Sequence, residues 1–283
     1  MRGVIVTADD FGLHERVNKA VELAHREGVL DCASLMVSGA AASDAVDRAR
    51  KLPRLRVGLH IVLADGVPTS PLETIPELVD GTGRFGDRMT RDGFRFFFLP
   101  RVRQQLANEI RAQFEAFAAT GLELDHVNSH KHFHLHPTVL SLILQIGQQF
   151  GMRAMRLPRE AGGHWMLAPW AGWMKTRLNR AGIAHNDWMA GMSRTGRMDE
   201  TAMLESVARA PNGVLELYSH PAVEGNEPIT HSMRDYRHAD ELAALCSPRV
   251  AQAISATGAW RGAFSDIVAR ASPEGRNETS FGA

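Results

Sequence analysis

Short apolar runs alternate along this chain with segments whose apolar residues fall at helical spacing. Val4–Ala8 is β-branched and uncharged and then meets Asp9-Asp10-Phe11-Gly12, the pattern of a buried parallel strand running into a turn. Val17, Ala20, Val21 and Ala24 follow at helical spacing, with Gly28 as the stop. Ala33–Val37 predicts a second buried strand, Ala41–Leu52 a helix, and Arg56–Leu63 a third strand that contains His60. Residues Asp65–Pro100 carry several Pro and Gly and read as a long excursion rather than a helix, the kind of loop that often acts as a lid. The alternation resumes with a helix over Val102–Ala119, a strand over Leu124–Ser129, a helix over Thr138–Phe150 and a strand over Arg153–Leu157. A later strand is expected at Val214–Ser219 and a helix at Asp240–Ser247. No internal repeat is visible. Such alternation implies parallel strands covered by helices, and a chain of this length holds about eight strand–helix units. The expected fold class is therefore α/β: a TIM-barrel-like (β/α) barrel, irregular in places, with long loops at its carboxyl-end mouth. One domain is expected over residues 1–271, with the Gly/Ser/Glu-rich stretch 272–283 as a disordered tail.

Composition changes this picture little. The 283 residues carry 32 basic and 32 acidic side chains, so no broad positive surface is available and a nucleic-acid partner is not expected. Cys32 and Cys246 are isolated and form no CxxC pair, which suits a reducing compartment. The first apolar run is too short for a signal peptide, and no stretch approaches the ~20 apolar residues of a membrane span. These features predict a cytoplasmic protein.

The 13 histidines alter the picture more, because several stand where the strand assignment ends. Asp9-Asp10 follows the first strand, His60 lies in the third, the run His130-Lys131-His132-Phe133-His134-Leu135-His136 follows the strand ending at Ser129, and His220-Pro221 closes Tyr218-Ser219. In a β/α barrel the carboxyl ends of strands converge on one mouth, so these residues can surround one site. A divalent metal acting as a Lewis acid uses a few nitrogen and oxygen ligands and an open position. Asp10, His60 and one histidine of the run meet that need, and Asp9 is left to take a proton from water. His220 is then available to protonate a leaving group or steady an oxyanion. Alternating histidines between His126 and His136 would share one face of an extended segment, a costly arrangement without a ligand. His126 and His136 are the first of these assigned to packing or hydrogen bonding. The paired acid and His60 carry little specificity singly, since two acids after a strand also cap helices and a strand histidine is commonly a packed one. Mixed nitrogen and oxygen ligation favours zinc, with magnesium as the alternative.

The blocks Asp9-Asp10-Phe11-Gly12, Gly58-Leu59-His60, Ser129-His130-Lys131-His132-Phe133-His134 with Pro137, and His220-Pro221 together resemble the YdjC-like carbohydrate deacetylases. The resemblance covers roughly residues 3 to 268 and implies a metal-dependent β/α-barrel enzyme. It carries the metal ligands onto Asp10, His60 and His130, the base onto Asp9 and the late histidine onto His220. It also sets Arg156 and Arg159 along a substrate groove. Within the family the chain looks most like the hopanoid-biosynthesis-associated branch, on blocks such as Ser38-Gly39 and Arg156-Leu157-Pro158-Arg159-Glu160. The implied reaction removes acetyl from an N-acetylglucosaminyl hopanoid; other members act on chitooligosaccharides such as diacetylchitobiose. One departure stands before His130, where Val127-Asn128-Ser129 replaces the Asp-Ser of many relatives.

Trp165, Met166, Leu167, Trp170, Trp173, Met174 and Leu178 crowd one region, the last four at helical spacing beside Lys175, Arg177 and Arg180. Such a stripe either packs on the barrel or rests peripherally at a membrane interface, and Trp170 and Trp173 would then touch a lipid-bearing substrate. Phe94, Phe96, Phe97, Phe98 and Leu99 pose the same choice. Two rivals share the site: a facial-triad iron oxygenase, which needs no neighbouring base, and a non-catalytic sugar- or lipid-binding barrel that keeps the metal as a clip.

Overall fold

The β-branched run near the start of the chain becomes the central strand of the computed structural model, which describes residues 1–160 and 168–271. Trp165, Met166, Leu167 and the expected tail lie outside the described residues. β1 (Gly3–Phe11) is buried along its whole length. The chain then runs α1 (Glu15–Glu27), β2 (Cys32–Leu35), α2 (Ala42–Arg50), β3 (Arg56–Ile61), α3 (Met89–Phe98), α4 (Pro100–Ala119) and β4 (Val127–Ser129). It continues through α5 (Pro137–Gly147), α6 (Ala168–Arg180), β5 (Trp188–Ala190), α7 (Glu200–Ala208) and β6 (Val214–Ser219). Last come α8 (His238–Leu245), α9 (Pro248–Ala256), β7 (Trp260–Gly262) and α10 (Phe264–Ala271).

The strands are parallel, in the order β4-β3-β2-β1-β6-β5, with β7 paired to the first residues of β1. The strand expected over Arg153–Leu157 is present only as isolated bridges. Val127 N–H donates to the Ala154 carbonyl (3.1 Å), Met155 N–H to Ala184 (2.9 Å) and Met189 N–H to Arg159 (2.7 Å), so this stretch links β4 to the β5 side and curls the sheet into a TIM-barrel-like ring. Apolar side chains such as Phe11, Leu35, Leu59, Ile61, Leu106 and Phe114 fill the space between sheet and helices.

One expectation is corrected here, and one open choice is narrowed. The excursion Asp65–Pro100 contains α3, because Phe96 buries itself against Phe133 and Pro100 restarts the chain as the first residue of α4. The segment is tied to buried polar groups of α4: Glu109 accepts from Thr69 and Ser70 N–H (2.9 Å each) and Gln105 Oε1 from Glu77 N–H (2.9 Å), while Gln113 exchanges hydrogen bonds with Val62 N–H and carbonyl just before it (2.8 and 2.7 Å). The stripe on α6 is largely core, since Ala171, Met174 and Leu178 are buried. Trp173 is half-buried and stacks on Trp170 at 5.2 Å, and Trp170 alone of these is exposed.

Candidate active site

The carboxyl ends of β1, β3, β4 and β6 open on one mouth, and the geometry there starts from an irregularity in β1. Adjacent strand residues point to opposite faces, which would send Asp9 and Asp10 apart. The register of β1 against β2 slips between Ala8 and Phe11, and Asp10 takes φ +63°. Such a bulge re-aims side chains, and aspartate tolerates the left-handed region better than most residues. Both carboxylates are therefore buried toward the mouth. Just beyond, Gly12 has φ +93°, and a Cβ there would meet the Met36 carbonyl at 2.9 Å, so the turn requires glycine.

Asp10 Oδ1 lies 3.3 Å from His60 Nε2 and 3.1 Å from His130 Nδ1, and the three residues' candidate ligand atoms all fall within 4.8 Å of one another. His60 Nδ1–H donates to Asn128 Oδ1 at 2.6 Å. In the neutral ring that leaves the Nε2 lone pair facing a carboxylate oxygen with no proton between them. Asp10 Oδ2 is buried and has no hydrogen-bond partner among the described residues. Two imidazole nitrogens and one carboxylate whose second oxygen is orphaned, in a buried pocket, are a donor set that suits a divalent cation. Burial opposes ionisation of Asp10, but His130 and His60 outweigh it and hold the carboxyl well below the usual range.

Asp9 is held differently. Arg156 Nη1 and Nη2 donate to its two oxygens (2.5 and 3.0 Å), Asn128 Nδ2 donates to Oδ1 (3.1 Å), and the same guanidinium makes three hydrogen bonds of 2.6 to 3.0 Å to Glu216. Burial pushes the Asp9 carboxyl up, yet the Arg156 charge overrides it and leaves the group far below the ordinary carboxylate range. Arg156 is fully buried and does not line a groove, a correction to the expectation from resemblance. Its partner Glu216 escaped the sequence reading. The signal was available: Glu216 is the lone charge in the apolar run Val214–Tyr218 and Arg156 the lone charge in Ala154–Leu157, and buried charges need partners. Arg159 stacks over Trp188 at 4.0 Å.

The histidine run is a tight 3-10 turn, His130–Leu135, in which Lys131 and His132 have left-handed φ. It is not extended, so alternation does not set its histidines on one face. His130 reaches Asp10, His132 Nε2 meets Tyr218 Oη (3.1 Å), His134 Nδ1 meets Ser129 Oγ (2.7 Å), and His136 packs among Phe96, Phe97 and Phe133. Burial drives the His132 ring down to about 3 and holds the His134 ring well below the ordinary imidazole range. Across the mouth, His220 Nε2 is 4.0 Å from Asp10 Oδ2, and its Nδ1 has no partner among the described residues. Its backbone is fixed on both sides, N–H to Glu241 Oε2 (2.5 Å) and carbonyl to His238 Nδ1 (2.5 Å). Burial pulls the His220 ring below its ordinary value.

A second group, Cys32, Asp125 and His126, is close-set but satisfied internally. Asp125 accepts from Ser265 N–H (3.0 Å) and His126 (2.8 Å), His126 Nε2 meets Ser34 Oγ (3.0 Å), and burial pushes the Cys32 thiol well up. Ser34 in turn accepts from Asn128 Nδ2 at 2.9 Å, which ties this network to the mouth.

Residues 3–256 match the family model described as YdjC-like protein. The chain is 32% identical over 257 residues to a carbohydrate deacetylase of Brevibacillus brevis, covering 89% of this chain and 94% of that one. It is 30% identical to a chitooligosaccharide deacetylase of Enterobacter sp. strain 638, covering 93% and 98%. The crystal structure of a protein from Enterococcus faecalis V583 superposes with a TM-score of 0.76 at 23% identity, covering 94% and 98%, and so shares the fold.

Proposed function

Because the chain belongs to the YdjC-like family, we propose that it is a metal-dependent N-deacetylase that removes acetyl from an N-acetylglucosamine group. The observation that carries this reading is the triad Asp10, His60 and His130 with a second carboxylate, Asp9, beside it. Relatives named as carbohydrate and chitooligosaccharide deacetylases support the reaction class. A divalent cation held by the triad, zinc in preference to magnesium, would polarise the acetamide carbonyl and make water more acidic.

The chain's own residues supply the proton traffic. Asp9 stays ionised at neutral pH because Arg156 is bonded to both its oxygens, and it takes the proton of the attacking water. That pairing lowers its basicity, so the step relies on the water being acidified. Asn128 orients both partners, accepting from His60 and donating to Asp9. His220 gives a proton to the departing nitrogen; burial discourages its charged form, and the neighbouring Asp10 and Asp9 carboxylates favour it. The hydroxyl of water joins the carbonyl carbon, the C–N bond breaks, and the products are acetate and a free amine.

The reading extends to an acetylglucosaminyl hopanoid as the preferred substrate. An open cavity of about 490 Å³ beside the mouth, walled by Met89, Phe133, Leu135, Pro137, Trp170 and His132, supports an apolar carrier for the sugar. Diacetylchitobiose is the second reading, supported by the names of the relatives. Acetate release from both compounds, with metal-loaded and chelated protein in parallel, separates them. Metal-dependent release from the hopanoid alone is expected; release from chitobiose alone moves the substrate, and release from neither returns the protein to the binding-barrel reading.

A further inference from the structure

Helix α3 turns an unusual face to solvent. Its buried positions are Asp92, Gly93 and Phe96, while Phe94, Phe97, Phe98 and the following Leu99 are 65%, 46%, 57% and 44% exposed. Four of the seven large apolar side chains exposed among the described residues thus sit on about one and a half helical turns. Singly exposed apolar residues are ordinary, but a contiguous group is an interaction surface. The rings of Phe94 and Phe98 lie 4.4 Å apart and those of Phe97 and Phe98 4.9 Å, so they form one patch.

The charge carried by the same stretch of chain points to its partner. Residues 84–103 hold six arginines against Asp87 and Asp92, a surplus of four positive charges in a chain whose net charge is zero. Arg84, Arg88, Arg91, Arg101 and Arg103 are exposed, and among the described residues only Arg91 and Arg101 of these pair with carboxylates, Asp92 and Glu77. A second copy of this chain meeting the patch about a two-fold axis would bring two such arginine rims together. An anionic lipid surface offers what both features need, an apolar boundary beneath a layer of phosphates. The patch also borders the mouth, since Phe96 packs on Phe133 at 5.2 Å and Phe97 on His136 at 6.4 Å, both within or just after the turn that carries His130.

We propose that α3 docks the rim of the barrel mouth onto an anionic bilayer, with Phe94, Phe97 and Phe98 entering the headgroup boundary and the arginines resting on lipid phosphates. This surface is independent of which sugar the site deacetylates, and its test needs no turnover.

Co-sedimentation of the purified full chain with phosphatidylcholine vesicles, with and without phosphatidylglycerol, tests it. The protein is expected to pellet with the anionic vesicles and to be released as salt rises. Phe94→Ser with Phe98→Ser should weaken partitioning by about tenfold per ring removed, with an unchanged thermal melt because both rings are exposed. Arg84→Ser with Arg88→Ser should weaken it and flatten its salt dependence. Absence of pelleting on anionic vesicles overturns the proposal, as does pelleting that survives both double substitutions. So does a concentration-dependent dimer in light scattering that F94S/F98S dissolves while vesicles never bind.

Discussion

Arg156→Met removes the one cation that two buried carboxylates share while keeping a side chain of similar reach. The guanidinium makes two hydrogen bonds to Asp9 and three to Glu216, and all three side chains are at most 2% exposed. Breaking such a buried pair from one side costs about 3–5 kcal/mol, a large part of the ~5–15 kcal/mol that holds a domain folded. The protein can limit the cost by taking up a proton on one carboxyl. That proton is bound by the native state and not by the unfolded chain once pH exceeds the ordinary carboxylate range, so the penalty grows by up to ~1.4 kcal/mol per pH unit. Urea unfolding of chelated wild type and R156M at pH 6, 7 and 8 should therefore give a destabilisation of about 3–5 kcal/mol at pH 7, smaller at pH 6 and larger at pH 8. Adding Glu216→Met removes the second charge and should recover at least half of the loss. A destabilisation under ~1 kcal/mol at pH 7, or one that does not vary with pH, refutes the assignment of Arg156 as the shared buried counter-charge.

Further predictions concern the groups around that cluster. His130→Ala should leave the protein folded but with little bound zinc after dialysis, measured by elemental analysis; full occupancy would remove His130 from the ligand set. Asn128→Ala should free the His60 ring and weaken metal affinity about 10–100-fold in a chelator competition, whereas an unchanged affinity would deny Asn128 its orienting role. Burial raises the Glu241 carboxyl from 4.5 to about 7 against the two N–H donors that face it. The native state then holds a proton that the unfolded chain has already released, so this group withdraws stability as pH rises from 4.5 through 7, by roughly 3 kcal/mol at most. Glu241→Gln should flatten that stretch of the stability curve; a slope equal to wild type would show that Glu241 is ionised throughout.

What the sequence made legible follows from how each element is stabilised. β1 and β6 are apolar runs because both faces are covered, and that pattern needs no tertiary information to read. β5 and β7 were not predicted: each has three residues, and β7 is Trp-Arg-Gly, which carries no strand signal until β1 lies beside it. α3 was hidden for the opposite reason, since Phe94 to Leu99 is nearly continuous in apolar residues and has no period to detect. The histidine turn was misread as extended because Lys131 and His132 adopt left-handed φ that their residue types do not announce. Asp10, His60 and His130 were named from separate blocks, and the structure brings them together. The ties that fix His60 and the neighbouring Asp9, Asn128 to His60 and Arg156 to Asp9 and Glu216, span 60 or more residues and are invisible to local patterning.

The most direct test of the account is reconstitution of chelated protein with zinc or magnesium, read as acetate release from the N-acetylglucosaminyl hopanoid and from diacetylchitobiose, beside Asp9→Asn treated identically. The account predicts that one of the two ions restores release in the wild type and that Asp9→Asn binds the same ion with no release. Release from the chelated wild type, or full activity in Asp9→Asn, would contradict it.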